Sequence, residues 1–443
     1  MVNVRKTAVK LLQSYESEGR YVNLLLSSHE LDGFSREQRA QLTALLYTAV
    51  EHKLSYDHFI SVFASRPARE LDPYIRSLLR IGLCQIIDID SIPDFAAVNE
   101  TVKLARHGGE AAFVNAVLRR AVKERGKLPY PDRAKNPARY LSIRYSVPQK
   151  TVKFFISVFG VEQCERLLST YSESAPLSLT VNERNTSREE LISRFSECGI
   201  GAVPTKYTKN GIELDASYPP RSLAGYASGD FFVQDESSRI AHFASAPDVG
   251  DVVVDVCAAP GGKSLAAAIA VGDSGKVYSF DLHESKLSLI SDSAERLGLS
   301  DIIRIAAHDA TEPVEELIGK ADRVICDVPC SGLGVFRKKP DLRYKDISDI
   351  AELVPIQEKI LSASAKYLKA GGVLVYSTCT LNPEENEGVT DAFLVSHPDF
   401  AYEGFAVGEL SAPSGKLTLL PHVHGTDGFY VAKLRKIQTE ENR

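Results

Sequence analysis

The 443-residue sequence predicts a multidomain protein with an all-α N-terminal bundle, a small α+β module and a C-terminal α/β domain on a doubly wound parallel sheet. Three observations predict it. The chain is longer than one hydrophobic core usually serves. Apolar residues recur at helical spacing through residues 1 to about 128, and after Gln234 apolar runs of strand length alternate with helical stretches.

In the first region Val4, Ala8, Leu11 and Leu12 share one helical face, Leu42, Leu45, Leu46 and Val50 another, and Val98, Val102 and Ala105 a third. Turn signals at Arg66-Pro-Ala, Asp72-Pro and Ser91-Ile-Pro-Asp divide this region into short helices. From Gly126 to Pro148, prolines and basic residues interrupt the periodicity, so this stretch is expected to be a linker. Pro176–Asn182 then reads as a strand, Arg188–Cys198 as a helix opened by Thr186 or Ser187, and Val203–Tyr207 and Ile212–Leu214 as strands. The expected domains are 1–145, 146–235 and 236–440. In the last, the runs 252–257, 276–281, 302–309, 323–328 and 372–377 are the strands of a parallel sheet.

With 44% hydrophobic and 25% charged residues the chain is an ordinary globular one, not a disordered or fibrous one. No stretch approaches the roughly 20 apolar residues of a membrane span, and the N-terminus lacks the apolar core of a signal peptide. A cytoplasmic protein is expected, with no membrane partner. Seven cysteines, an odd number, do not read as a disulfide framework. Cys84, Cys164 and Cys198 are expected to be small buried hydrophobes. The net charge of -6 conceals a basic stretch from Asn115 to Lys150, where ten Lys and Arg face two acidic residues, a balance of +8. Arg119, Arg120 and Lys123 in it are candidate phosphate contacts; a solvated helix end is the alternative.

The chemistry gathers at the carboxyl ends of the strands, where such sheets bind ligands. The first strand runs into Asp255-Val-Cys-Ala-Ala-Pro-Gly-Gly-Lys-Ser264. A glycine turn into a helix lets backbone approach a ligand and aims N–H groups at negative charge. A phosphate loop would need a glycine where Cys257 stands, and the dinucleotide fingerprint is absent. A carboxylate-bearing nucleoside such as S-adenosylmethionine remains. Asp281 ends the next strand about 20 residues on, suited to ribose hydroxyls. Asp309 ends the third and could meet an adenine amino group; helix capping is the alternative for both. The fourth and fifth strands end in Asp327-Val-Pro-Cys-Ser-Gly332 and Ser377-Thr-Cys-Thr-Leu-Asn-Pro-Glu384, bringing two thiols and a carboxylate to one cleft. Thiols suit cytosine methylation, because addition of a thiolate to carbon 6 makes carbon 5 nucleophilic. Asp327, if protonated, could donate to N3 of the base. A zinc site of Cys326, Cys330, Cys379 and His308 is a rival, but no Cys-x-x-Cys or His pair supports it. Cys326 should point away from the cleft. No metal is expected.

Four ordered motifs, Asp255–Ser264, Asp327–Gly332, Tyr376-Ser-Thr-Cys-Thr380 and Pro421–Tyr430, resemble those of RNA 5-methylcytosine methyltransferases. Leu79–Gln85, Ala97-Val-Asn-Glu100 and Phe113–Arg119 resemble the NusB-like RNA-binding helical domain. The combination covers nearly the whole chain and is similar to the RsmB (Sun/Fmu) family. That resemblance implies a Rossmann-like methyltransferase domain, S-adenosylmethionine as cofactor, and 16S ribosomal RNA as partner, naked or in an early assembly intermediate. It further implies formation of 5-methylcytosine, and a monomer is expected. It implies that Cys379 is the nucleophile and that Cys330 helps release product. It also implies that Cys257, Ala258, Ala259, Pro260, Gly261, Gly262, Lys263, Asp281, Asp309 and Asp327 contact the cofactor, with Asp327 near the base as well. The middle module would guide RNA. The basic segment Arg337-Lys338-Lys339 to Arg343, just after the Pro-Cys motif, could hold RNA phosphates. An RNA-binding assembly factor with a vestigial methyltransferase fold is the rival function, and the intact cysteines and glycine turn argue against it. A small-molecule or protein methyltransferase would need neither the paired thiols nor the basic segments.

Overall fold

The computed structural model describes residues 3–26, 31, 33–173, 175–216 and 218–437. Its helices begin where side chains can satisfy the free N–H groups of a first turn. Asn3 caps α1 (Val4–Glu18), and after the short α2 (Val22–Leu26), Ser35 and Gln38 form a reciprocal capping box at α3 (Arg36–Glu51). Beyond α4 (Lys53–Phe63), Asp72 caps α5 (Pro73–Ile87), whose first residue, proline, has no N–H to leave unpaired. With α6 (Asp94–Val102) and α7 (Gly108–Glu124) these helices enclose a core in which α5 is central. Its Leu78, Leu79, Ile81, Leu83 and Ile86 are fully buried. Arg80 on α5 is buried with them, its charge balanced by Asp57 and Glu16.

The stretch expected to be a linker instead contains α8 (Pro137–Tyr145). Asn136 caps it and Pro137 occupies its first position, so the features that broke the periodicity are a helix start. Ala138 and Leu141 bury its inner face while Arg139 stays exposed. α8 packs with α9 (Gln149–Phe159) and α10 (Val161–Ser169), and the compact helical unit runs to Glu173. The unit also takes in Phe336–Lys345 from far along the chain.

The second unit holds two sheets. β1 (Leu177–Val181), β2 (Ala202–Pro204), β3 (Gly211–Leu214) and β4 (Phe231–Val233) form an antiparallel sheet in the order β2-β3-β1-β4, with Leu179 opposite both Ile212 and Val233. Leu191 and Phe195 of α11 (Arg188–Glu197) share its core. Arg239, fully buried on α12 (Glu236–Ser245), ties α12 to this sheet through the Leu179 carbonyl and the Ser178 and Thr180 hydroxyls.

The large sheet contains the five parallel strands expected: β5 (Val252–Asp255), β6 (Lys276–Asp281), β7 (Ile303–Ala307), β8 (Ala321–Asp327) and β9 (Leu368–Thr378). β10 (Phe400–Tyr402) and, beyond a small ribbon of β11 (Phe405–Val407) and β12 (Leu410–Ala412), β13 (Lys416–Leu419) and β14 (Phe429–Lys436) complete it. The order is β10-β14-β9-β8-β5-β6-β7, with β13 also pairing β14. The sheet is mixed rather than all parallel, because β14 runs antiparallel against β9, Tyr430 opposite Thr378. Successive strand residues face opposite layers. Val253, Ile325 and Val375 meet the side of α12, α13 (Gly262–Val271) and α14 (Leu287–Arg296). Val254, Val324 and Leu374 meet the side of α15 (Ile350–Ala365) and α16 (Val389–Ser396).

Candidate active site

The turn leaving β5 is tight and supported from below. Asp255, 1% exposed, accepts the Ser264 hydroxyl at 2.7 Å, and Ser279 bonds Ser264 in turn. Burial pushes the Asp255 carboxyl up to about 7, against the Ser264 hydrogen bond and the Lys263 charge. A cis bond joins Ala259 to Pro260, and Gly261 has φ of 110°, a backbone that favours glycine. A Cβ on Gly261 would also stand 3.2 Å from Ile290. Asp281 at the end of β6 reaches the same turn, accepting the Ala259 N–H at 3.2 Å and the His283 N–H at 3.0 Å. Asp309 is exposed just beyond β7, where it accepts the N–H and hydroxyl of Thr311.

At the end of β8, Asp327 accepts Lys263 Nζ at 2.6 Å on one oxygen and the Ser377 hydroxyl at 2.6 Å on the other. These two bonds tie the end of β8 to α13 and β9. Lys263 also donates to Ser238 of α12 and lies 5.4 Å from the centre of the Phe429 ring, which β14 brings here. The sulfurs of Cys330 and Cys379 are 3.3 Å apart. The hydrogen bond to Cys379, with burial and the Glu385 charge, holds the Cys330 thiol well above its ordinary range. Cys257 is raised likewise, chiefly by burial. The backbone closes over the thiols: Gly334 donates to the Cys379 carbonyl and accepts from Gly428.

The turn after Cys379, a π-helical stretch from Glu384 to Gly388, buries Glu385 and Asn386 beneath both cysteines. Glu385 accepts the Ser331 N–H at 2.8 Å, and Asn386 binds Thr378 and Thr380 on either side of Cys379. The sequence reading stopped at Glu384 and missed these residues. Their signal was a run of Asn, Pro and Glu directly after the Thr-Cys motif.

Comparison with known proteins bears on this site. Residues 243–435 match the family model described as 16S rRNA methyltransferase RsmB/F, residues 2–123 the NusB family, and residues 147–220 the RsmF/B-like ferredoxin-like domain. The Bacillus subtilis protein named "Probable ribosomal RNA small subunit methyltransferase B" is 36% identical, with 98% of this chain and 99% of that protein covered. The chain belongs to the ribosomal RNA small subunit methyltransferase B family. The Pseudomonas putida protein named "Ribosomal RNA small subunit methyltransferase B" is 31% identical over 98% of this chain and 99% of its own. The solved structure of PH0851 has the same fold, with a TM-score of 0.78 at 24% identity over 98% of this chain and 99% of that one. The cofactor of the ribosomal RNA small subunit methyltransferase B family is S-adenosylmethionine, as the sequence led us to expect.

Other expected residues fall elsewhere. Cys326 is fully buried beside Ser364, away from the thiol pair, and no group of His, Cys, Asp or Glu among the described residues could hold a metal ion. Cys84 and Cys164 are buried as expected, but Cys198 is exposed because α11 ends just before it. Arg119, Arg120 and Lys123 lie exposed on α7, with Arg120 paired to Glu124. Arg337 and Lys338 are partly buried and Lys339 is exposed. Arg343, expected with them as a phosphate contact, is 1% exposed and bound to Glu51 and the Tyr171 carbonyl, so it cannot face RNA. No helix among the described residues is long and apolar enough to cross a membrane.

Proposed function

We propose that this member of the ribosomal RNA small subunit methyltransferase B family forms 5-methylcytosine in 16S ribosomal RNA, at the family's usual target, cytosine 967, through a covalent bond between Cys379 and carbon 6. The observation that carries the reading is the pair of thiols 3.3 Å apart at the ends of neighbouring strands, beside Asp327 and the glycine turn. The residues present fit the cofactor. Residues Cys257 to Lys263 form the turn into the N-terminus of α13, where free N–H groups favour a carboxylate. Asp281 keeps lone pairs that would take ribose hydroxyls, and Asp309, exposed just beyond β7, would accept an adenine amino group.

When bound, S-adenosylmethionine supplies an electrophilic methyl group. Cys379 adds as thiolate to carbon 6, forming a sulfur–carbon bond and moving the double-bond electrons to carbon 5, which takes the methyl group. Cys330, whose thiol is held well above its ordinary range, lies 3.3 Å from the Cys379 sulfur. Release requires transfer of the carbon 5 proton to solvent water; the electron pair of that C–H bond restores the ring double bond and the Cys379 thiolate leaves. Cys330 assists this second half. Asp327, positioned by Lys263 and Ser377, offers its carboxylate to the amino group of the cytosine. The base must be unpaired or flipped, since carbon 6 is attacked from the ring face. Arg119, Arg120, Lys123, Arg337, Lys338 and Lys339 are proposed RNA contacts.

The test is transfer of labelled methyl groups to protein-free 16S RNA, with the product mapped by bisulfite sequencing. Product at one cytosine, lost in Cys379→Ala and replaced by a trapped RNA–protein adduct in Cys330→Ala, is expected. Tight cofactor binding without methylation of the RNA would refute the assignment and favour an assembly factor.

A further inference from the structure

Glu385 has no exposed surface, and its side-chain partners among the described residues are neutral donors. One oxygen accepts the Ser331 N–H at 2.8 Å and Gln357 Nε2 at 3.0 Å; the other accepts the Ser331 hydroxyl and Asn382 Nδ2 at 3.2 Å. Four converging donors match the lone pairs of a carboxylate and exceed what an amide oxygen can accept. The backbone of Glu385 is held as well, its carbonyl accepting the Tyr376 hydroxyl at 2.6 Å.

These bonds reach the residues flanking both thiols. Gln357, anchored on Glu385, donates to the Pro329 carbonyl at 2.9 Å, so Glu385 and Gln357 together grip both sides of Cys330. The Ser331 hydroxyl also meets Thr380 Oγ1 at 2.7 Å. Asn386, next to Glu385, binds Thr378 Oγ1 at 2.6 Å and the Thr380 carbonyl at 3.1 Å, the two sides of Cys379. The two cysteines lie 49 positions apart in the chain, and this buried cluster joins their loops.

We propose that Glu385 is a positioning residue for product release: by accepting from Ser331 and Gln357 it holds Cys330 against the Cys379–carbon 6 bond. The proposal rests on the cysteine roles given above. Glu385→Gln keeps the volume but turns an NH2 group toward two donors, so the Pro329–Ser331 segment loses its fixed place. Cys379, still held by Asn386 and by Gly334, keeps its approach to the base.

The experiment follows one round of methyl transfer and the methylated RNA–protein adduct in wild type, Cys330→Ala and Glu385→Gln. For Glu385→Gln, methyl transfer within about 3-fold of wild type and adduct at least about 10-fold above it are expected, the same pattern as Cys330→Ala. The ratio of adduct to free product is read within one protein, so partial unfolding does not change it. Normal release in Glu385→Gln while Cys330→Ala traps adduct would overturn the proposal. Loss of both transfer and adduct in a folded variant would overturn it too. Should Glu385→Gln fail to fold, Gln357→Leu decides: adduct must accumulate, and its absence refutes the mechanism. If Cys330→Ala itself traps nothing, the release role of Cys330 falls, and this proposal with it.

Discussion

Arg343 and Glu51 offer a sharp test of how the helical unit holds the segment 336–345. The Arg343 guanidinium is 1% exposed; it binds Glu51 at 2.9 Å, the Tyr171 carbonyl, and the Phe336 carbonyl at 3.4 Å, while Nε and Nη1 have no hydrogen-bond partner among the described residues. Removing the carboxylate leaves a buried charge uncompensated, which costs about 3–5 kcal/mol in a dry site. Glu51 is 26% exposed and two carbonyls remain, so about 2–3 kcal/mol is expected for Glu51→Ala. Arg343→Met forfeits those bonds but also removes the desolvated charge, and its apolar chain can stay against Tyr171; about 0–1 kcal/mol is expected. The asymmetry is the prediction. Native-state hydrogen exchange of the α5 amides, which open with the helical unit, should be roughly 30-fold faster in Glu51→Ala than in Arg343→Met, corresponding to about 2 kcal/mol. Equal rates, or faster exchange in Arg343→Met, would show that the Phe336 contacts with Phe155 and Tyr171, not the ion pair, hold the segment.

Asp255 should make stability depend on pH. Its folded pKa of about 7 lies above the unfolded carboxylate value, so the folded state binds the extra proton and the stabilisation is full below about pH 4 and lost as pH rises through 7. Wild type minus Asp255→Asn should therefore fall across that range in urea unfolding, by at most about 4 kcal/mol, and a flat difference would exclude the mechanism. Gly334→Ala would place a methyl 2.0 Å from the Gly428 carbonyl oxygen and 2.9 Å from that of Cys379, both backbone. Melting temperature should drop by several degrees, a cost of about 1–3 kcal/mol, and methyl transfer should fall at least about 100-fold as Cys379 shifts; unchanged activity would contradict the close backbone packing over the thiols.

Much of the catalytic domain was legible because its signals are local. A parallel strand buried on both faces is an unbroken apolar run, and a ligand turn between strand and helix needs glycine, so β5 to β9 and the turn after Asp255 stand out. The small sheet was legible as far as β3, while β4, with its two buried phenylalanines followed by an exposed valine, shows no alternation to read. α8 was misread because proline marks a helix start as well as a break, and only the burial of Ala138 and Leu141 separates the two.

The sequence by itself determined the division into helical and α/β parts, the glycine turn, the strand-end aspartates and the presence of two thiols near one cleft. Each depends on residues close together in the chain. Only the tertiary structure decided that the sulfurs lie 3.3 Å apart, that Lys263 and Ser377 occupy both oxygens of Asp327, and that Glu385 joins the two cysteine loops. It also decided that β14 runs antiparallel and that Arg343 is buried against Glu51, 292 positions away. A charge has no fixed partner until the fold brings one near, and a basic run reads the same in sequence whether its side chains meet solvent or a buried carboxylate.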